Sequence, residues 1–144
     1  MILLLVGDQM KIYPYLMGAI SYYYNNNQIE EATEWRDWFC TKLLEYDIEC
    51  FNPMKNFKVN LQFPGRSIVT QNNYFLSQCN IGIVNLKNID KSPGTLYEMF
   101  QYHFYGKPII AFEKMPEQPH ILSAIDCWLK SKEDVLDYLI SMYL

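Results

Sequence analysis

The sequence predicts a small α/β domain built on four or five mostly parallel strands, and three observations carry that expectation. Residues 81–86 (Ile-Gly-Ile-Val-Asn-Leu) are a short apolar run rich in β-branched side chains, as in a strand covered on both faces. Residues 95–105 have helical spacing, with Leu96, Met99, Phe100, His103 and Phe104 on one side. Gly106 is placed to end that helix and Pro108 prevents its continuation. Residues 109–112 then return to an apolar strand pattern. Strand, helix and strand in this order imply a crossover between parallel neighbours. Sheets of this kind bind ligands at the carboxyl ends of their strands, where the loop of residues 87–94 lies.

A chain of 144 residues, half of them apolar, suffices for one domain spanning residues 1–144 with a full hydrophobic core. A net charge of -4 and the lack of any Lys/Arg run argue against a nucleic-acid polymer as partner. Cys40, Cys50, Cys79 and Cys127 form no C-x-x-C pair, so no zinc site is expected. Cys40, Cys79 and Cys127 fall on apolar patterns and are expected as buried thiols in a reducing, cytoplasmic setting. Residues 1–6 are too short an apolar run for a signal peptide and lack a basic leader. No segment reaches the roughly 20 apolar residues of a membrane span, so no membrane association is expected.

In chain order, residues 2–6 and 11–17 are both strand-like, and Pro14 weakens the second as a central strand. Either run can supply the first core strand. The small residues Gly18 and Ala19 let the backbone approach a ligand or a neighbouring strand. Residues 21–28 read as a loop or the lip of a site. Residues 29–46 form the clearest amphipathic helix, with Ile29, Ala32, Trp35, Phe39, Leu43 and Leu44 inward. Arg36 on that helix is expected in a surface ion pair. Residues 48–51 are a short second strand, residues 55–65 a loop, and residues 68–78 a helix with Ile68, Asn72, Phe75 and Leu76 on one side. Residues 120–128 are ambiguous between strand and short helix. Ser131 is the N-cap of a final helix buried through Val135, Leu136, Leu139 and Ile140.

Chemistry concentrates on Glu98. Thr95-Leu-Tyr-Glu98 has capping-box spacing, which makes Glu98 a structural cap. Alternatively, the positive end of the helix dipole keeps Glu98 ionised at neutral pH, as a carboxylate nucleophile requires. Ser92, Gly94 and Thr95 share its loop, where Pro93-Gly94 forms a tight turn with exposed amides. Neither the P-loop nor the dinucleotide glycine motif is present. His103 reads as a core histidine, and His120 as a loop residue that could reach the site; the two make no metal case.

Four blocks together resemble the nucleoside 2-deoxyribosyltransferase-like family. They are Lys11-Ile-Tyr-Pro-Tyr-Leu-Met-Gly-Ala-Ile20; Glu31-Ala-Thr-Glu-Trp-Arg36 with Ile48-Glu-Cys-Phe-Asn-Pro-Met54; Ile68-Val-Thr-Gln-Asn-Asn73 with Ser77-Gln-Cys-Asn-Ile-Gly-Ile-Val-Asn-Leu86; and Ser92-Pro-Gly-Thr-Leu-Tyr-Glu98 with Gly106-Lys-Pro108. The resemblance implies a flavodoxin-like three-layer sandwich and cleavage of the N-glycosidic bond of a 2'-deoxynucleoside or its monophosphate. In that reading Glu98 forms a covalent glycosyl-enzyme, Tyr15 holds it, and a second base or water takes the sugar. Gly18, Asn72, Ser92, Gly94 and Thr95 are the implied substrate contacts, with no cofactor or metal, in a homo-oligomer whose sites lie near subunit contacts. Three positions depart from the family pattern, with Asn72, Asn80 and Ser92 standing where acids are usual. Asn72 can bond a base edge but cannot act as a general acid. The alternative is a non-catalytic nucleoside- or nucleotide-binding module that kept the pocket.

Overall fold

The structure, a computed structural model, describes residues 11–56 and 65–144. The strand-like run of residues 2–6 and most of the expected loop of residues 55–65 lie outside them. The first core strand, β1, is Pro14–Met17, buried at every position. Pro14 is tolerated because it opens the strand, where its missing N–H interrupts no ladder and its carbonyl accepts from the Phe51 amide at 2.7 Å. The sheet continues through β2 (Ile81–Asn85), β3 (Ile109–Phe112) and β4 (Cys127–Trp128), all parallel and in that spatial order.

The expected strand of residues 48–51 is reduced to one parallel bridge, Phe51 to Tyr15 on the free side of β1. Asn52 ends it. Its side-chain oxygen accepts from the Met54 amide at 2.9 Å, and Pro53 starts a short 3-10 helix, Pro53–Asn56. Counting that bridge as a strand, the spatial order is second, first, third, fourth, fifth. This is the flavodoxin-like order, with its reversal between β1 and β2.

Six α-helices occur among the described residues: α1 (Ser21–Asn25), α2 (Glu30–Leu44), α3 (Gly65–Gln78), α4 (Pro93–Phe104), α5 (Pro119–Ser123) and α6 (Lys132–Tyr143). Alternation along β1 sends Tyr15 and Met17 to one face of the sheet and Leu16 to the other. Tyr15 and Met17 join Val84, Ile109 and Ala111 under Leu76 of α3, Met99 and Tyr102 of α4 and Ile121 of α5. Leu16 joins Ile81, Ile83, Ile110 and Phe112 under Trp35, Phe39 and Leu43 of α2 and Val135 and Leu139 of α6. The protein is therefore the three-layer flavodoxin-like sandwich that the resemblance implies. None of its described helices is long and apolar enough to cross a membrane.

Several local expectations are corrected. Residues 21–25 are the helix α1 and not a loop; Tyr23 anchors it, buried, with its hydroxyl accepting from Asn88 Nδ2 at 3.0 Å. The buried stripe of α2 runs Ala32, Trp35, Arg36, Phe39 and Leu43, which leaves Leu44 exposed. The stripe follows the i, i+4, i+7, i+11 row, and Leu44 falls a full residue off it. α3 starts three residues earlier than expected, and its Ile68 is exposed. The inner row of α4 is Thr95, Met99 and Tyr102, so His103 and Phe104 point outward. Tyr102 takes the interior place because its hydroxyl donates to the Leu76 carbonyl at 2.7 Å. Residues 120–128 contain both ambiguous elements: the end of α5, capped by Gln118, and then β4. Of the cysteines, only Cys79 is buried; Cys40, Cys50 and Cys127 are half-buried.

Other local signals hold. Gly106 adopts φ 71° after α4, where the Lys107 amide reaches the Tyr102 carbonyl and the Gly106 amide that of His103. Ser131 caps α6 by accepting from the Asp134 amide. Lys107 then serves a second helix: its ammonium donates to the carbonyls of Leu76 (3.1 Å) and Cys79 (2.8 Å) at the end of α3 and lies over the Tyr102 ring. Replacing it by Met removes the side-chain donor from the Cys79 carbonyl and leaves the Leu76 carbonyl to Tyr102. Lys107→Met is expected to cost about 1–2 kcal/mol in urea unfolding, with an unchanged m-value.

Candidate active site

A cavity of about 320 Å³ opens at the carboxyl ends of β1 and β2, at the reversal of strand order. The segment after β1, the face of α3 and the start of α4 line it, and Glu98 lies within it. A second depression lies along α3 between Arg66 and Phe75, and among the described residues it is lined by no carboxylate, histidine or thiol.

Glu98 does not cap α4. The N-cap is Ser92 and Pro93 is the first helical residue, so Glu98 sits in the second turn and Pro93-Gly94 opens the helix instead of forming a separate turn. Ser92 Oγ bonds to Thr95 Oγ1 at 2.6 Å, which pairs the two hydroxyls at the helix start and leaves one O–H free to donate. The side chain of Glu98 instead reaches across the layers to β1. The Tyr15 hydroxyl donates to Glu98 Oε2 at 2.5 Å. Tyr15 is fully buried, with its ring 4.9 Å from that of Phe51 and edge-on to Tyr102. Burial, and then the neighbouring Glu98 charge, raise the Tyr15 pKa far above that of a free phenol, so it remains a neutral donor.

Arg36 makes no surface ion pair. Its side chain is fully buried and also borders the cavity. The guanidinium donates to the carbonyls of Ala32 (2.7 Å), Gly18 (2.8 Å) and, through Nε, Leu16 (3.4 Å). It also lies 4.5 Å from the centre of the Trp35 ring. Burial lowers its pKa to about 10, which leaves it charged at neutral pH. A signal was available: Arg36 falls on the i+4 row from Ala32, inside the apolar stripe, where an arginine needs internal partners.

Gly18 is small because these two side chains crowd it. A Cβ there would lie 2.8 Å from Trp35 Cζ2 and 3.3 Å from Arg36 Nη2. Gly94, by contrast, has nothing within 4 Å of a would-be Cβ, so the fold places no packing demand on it.

Gly18, Asn72, Ser92, Gly94, Thr95 and Glu98 all line the cavity, and Tyr15 lies beneath it through its bond to Glu98. Asn72 is half-buried and makes no side-chain hydrogen bond among the described residues. Asn80 is elsewhere. It donates to the Lys11 carbonyl (3.1 Å) and accepts from the Tyr13 amide (2.7 Å), a pairing that needs an amide and that an ionised Asp could not complete. His103 and His120 are exposed, and neither lines the cavity. No cluster of three potential metal ligands occurs among the described residues. Ser21 and Tyr22 bring the expected lip to the mouth, Lys91 comes from the expected ligand loop, and Tyr97 joins them from α4; Lys91 Nζ lies 5.8 Å from the Tyr22 ring centre.

Burial pushes the Glu98 carboxyl up to about 7, against the downward pull of the Tyr15 hydroxyl and then the Arg36 charge. The expected helix-dipole stabilisation of the anion is overridden, since the dipole fades beyond the first turn.

No protein-family model and no curated protein sequence matches the chain. Solved structures are similar in fold. A conserved protein from Enterococcus faecalis V583 superposes with a TM-score of 0.67 at 13% identity, over 92% of this chain and 99% of that one. A 2-deoxyribosyltransferase from Bacillus psychrosaccharolyticus superposes with a TM-score of 0.64 at 17% identity, over 88% of this chain and 91% of that one. The chain thus shares its fold with both of these proteins across most of its length.

The Glu98 carboxyl holds its proton more tightly in the fold than in the unfolded chain. Its ionisation therefore removes stability as pH rises from its ordinary value of 4.5 through about 7. Glu98→Gln is expected to stabilise the fold by on the order of 2 kcal/mol at about pH 8, and the gain should vanish toward pH 4.5. A variant melting no higher than the parent at the alkaline end would contradict this.

Proposed function

We propose that the protein cleaves the N-glycosidic bond of a 2'-deoxynucleoside or its monophosphate, with residues 1–144 acting as one domain. The observation that carries the reading is the Tyr15–Glu98 hydrogen bond at an open cavity on the reversal point of the sheet. Ionised Glu98 attacks the anomeric carbon while the bond to the base breaks and its electrons leave with the base. The resulting glycosyl ester is then opened by water or by a second base. Tyr15 fixes one carboxylate oxygen, and Arg36 supplies the buried positive charge that favours the ionised form. Asn72, free of internal partners among the described residues, contacts the base. Ser92, Gly94, Thr95 and Gly18 border the sugar and its 5' substituent. The fold relation to a 2-deoxyribosyltransferase supports this class of substrate. Neither step calls for a metal or cofactor.

One observation favours a second reading, a nucleoside- or nucleotide-binding module without turnover. Among the described residues that line the cavity, Glu98 is the sole carboxylate, and no histidine is available to protonate the leaving base.

A panel of deoxynucleosides and their monophosphates, incubated with and without an acceptor base, separates these readings. Free base is expected from a hydrolase and exchanged base from a transferase. Activity should fall by about 10³-fold or more in Glu98→Ala and by about 10- to 100-fold in Tyr15→Phe. Asn72→Asp should raise the rate by restoring an acid. Because the attacking form is ionised, kcat/KM should climb with pH and level off above about 7, with the rise displaced upward in Tyr15→Phe. Ligands that raise the melting temperature without releasing base would establish the binding module.

The homo-oligomer belongs to the same proposal. Ile68, Val69 and Tyr74 of α3 and Tyr97 and Phe104 of α4 are exposed, and Ile68, Val69 and Tyr97 form part of the cavity rim. A second copy seated on these helices would narrow the mouth. Light scattering should give at least two subunits for the parent protein, and Phe104→Glu should shift it toward monomer.

A further inference from the structure

The space between α3 and α4 does not end with the cavity around Glu98. A further opening of about 480 Å³ lies along the same two helices, and it shares Asn73 and Leu76 with the cavity, so the two form one continuous furrow. Its walls are helical rows. Val69, Asn73 and Ser77 stand one turn apart on α3; Tyr97 and Gln101 on α4, with Tyr105 at its C-cap, repeat that spacing opposite. Eight residues of helix give these rows a length of about 12 Å. Leu76 and Tyr102, both buried, lie at the bottom, where the Tyr102 hydroxyl donates to the Leu76 carbonyl at 2.7 Å. The furrow is thus tied across its floor and formed before any ligand arrives.

The chemistry of the extension is polar and uncharged. Asn73 and Gln101, one from each wall, are half-buried, and neither side-chain amide is hydrogen-bonded among the described residues. Each keeps both a donor and an acceptor for a ligand. Lys107 closes the far end, but its ammonium donates to the carbonyls of Leu76 (3.1 Å), Ser77 (3.5 Å) and Cys79 (2.8 Å), which uses its three N–H groups. A carboxylate entering here would lose water and meet no free cationic donor. Position decides which part of a substrate enters. In the proposed reaction the base lies against Asn72, and the shared residues Asn73 and Leu76 continue α3 from that point. The sugar borders Gly18, Ser92, Gly94 and Thr95, none of which lines the extension. The furrow therefore leads away from the base.

We propose that the furrow is a subsite for a substituent on the base, so that the preferred ligand is a nucleoside whose base carries a flexible, uncharged arm ending in an amide or hydroxyl. This rests on the N-glycosidic reading above and narrows its substrate. An arm that covers about one helical turn, roughly 5.4 Å, passes from the base at Asn72 to the amides of Asn73 and Gln101. Its end group exchanges hydrogen bonds with both and takes the place of water. A plain base leaves those amides to solvent and loses nothing but this added contact, so it binds the same site more weakly.

The test is titration calorimetry on the whole chain carrying Glu98→Gln, which prevents turnover. The probes are 2'-deoxyadenosine and 2'-deoxycytidine, each plain or with a carbamoylethyl or carboxyethyl arm on the exocyclic nitrogen. The amide arm is expected to tighten binding of at least one base by about tenfold, as two added hydrogen bonds would. The carboxylate arm should give no such gain. Gln101→Trp, which fills the extension, should abolish the gain and leave the affinity for the plain nucleoside unchanged. Plain nucleosides that bind while the amide arm adds nothing overturn the subsite and leave the N-glycosidic reading standing, as does a gain that survives Gln101→Trp. A carboxylate arm that binds as tightly as the amide overturns the uncharged class. If neither plain nor armed nucleosides bind, that reading falls and the subsite with it. A Gln101→Trp chain that scatters light as a monomer beside an oligomeric parent gives the furrow to a second copy and also overturns the proposal. The comparison of arms on the unaltered furrow decides the matter even where the tryptophan variant fails to fold.

Discussion

The hydrogen bond between Tyr15 and Glu98 joins two layers of the sandwich at the point where the strand order reverses. Its donor stands on β1, the strand flanked by both the Phe51 bridge and β2, and its acceptor stands on α4. Both ends are fixed by packing that has nothing to do with the carboxylate. Tyr15 is wedged between Phe51 and Tyr102, and α4 is fixed by Met99 and Tyr102 inside and by the glycine termination outside. The geometry of the carboxylate is therefore a property of the core, held before any ligand arrives, which is the condition for an effective reacting group.

Electrostatics around that bond are a balance and not a simple attraction. Loss of solvent favours the neutral acid, while the phenol and the buried guanidinium favour the anion. The guanidinium is itself held away from water by three backbone carbonyls, two of them from β1 and the residue after it. Gly18 stands at the junction: its carbonyl receives Arg36, and its lack of a side chain admits Trp35. One short segment thus sets the strand, seats the cation and opens the cavity.

Most of the architecture is legible in the sequence because buried parallel strands and glycine-terminated helices leave strong local signatures. Residues 81–86 and the Gly106–Pro108 stop were read almost to the residue. The errors share a cause. Hydrophobicity alone puts Phe104 inside and Arg36 outside. The fold reverses both, because a polar group with internal partners is cheaper to bury than its composition suggests. The cap of α4 is locally ambiguous for a related reason: Ser92 and Thr95 both suit a helix start, and the choice between them depends on Pro93, which fits the first turn. The residues of the cavity were found by resemblance and by loop position. Their mutual placement, and the upward shift of Glu98, come from burial that no local pattern encodes.

The two margins of the sheet carry one more consequence. Among the described residues, one margin ends in the lone bridge of Phe51 and the other in the two-residue β4. Such short margins expose almost no unpaired backbone amides and carbonyls in register, so they offer a poor template for an added strand. Over the described residues the sheet margins are in this sense poorly suited to lateral strand addition, and the exposed apolar side chains stand mostly on the helical layers.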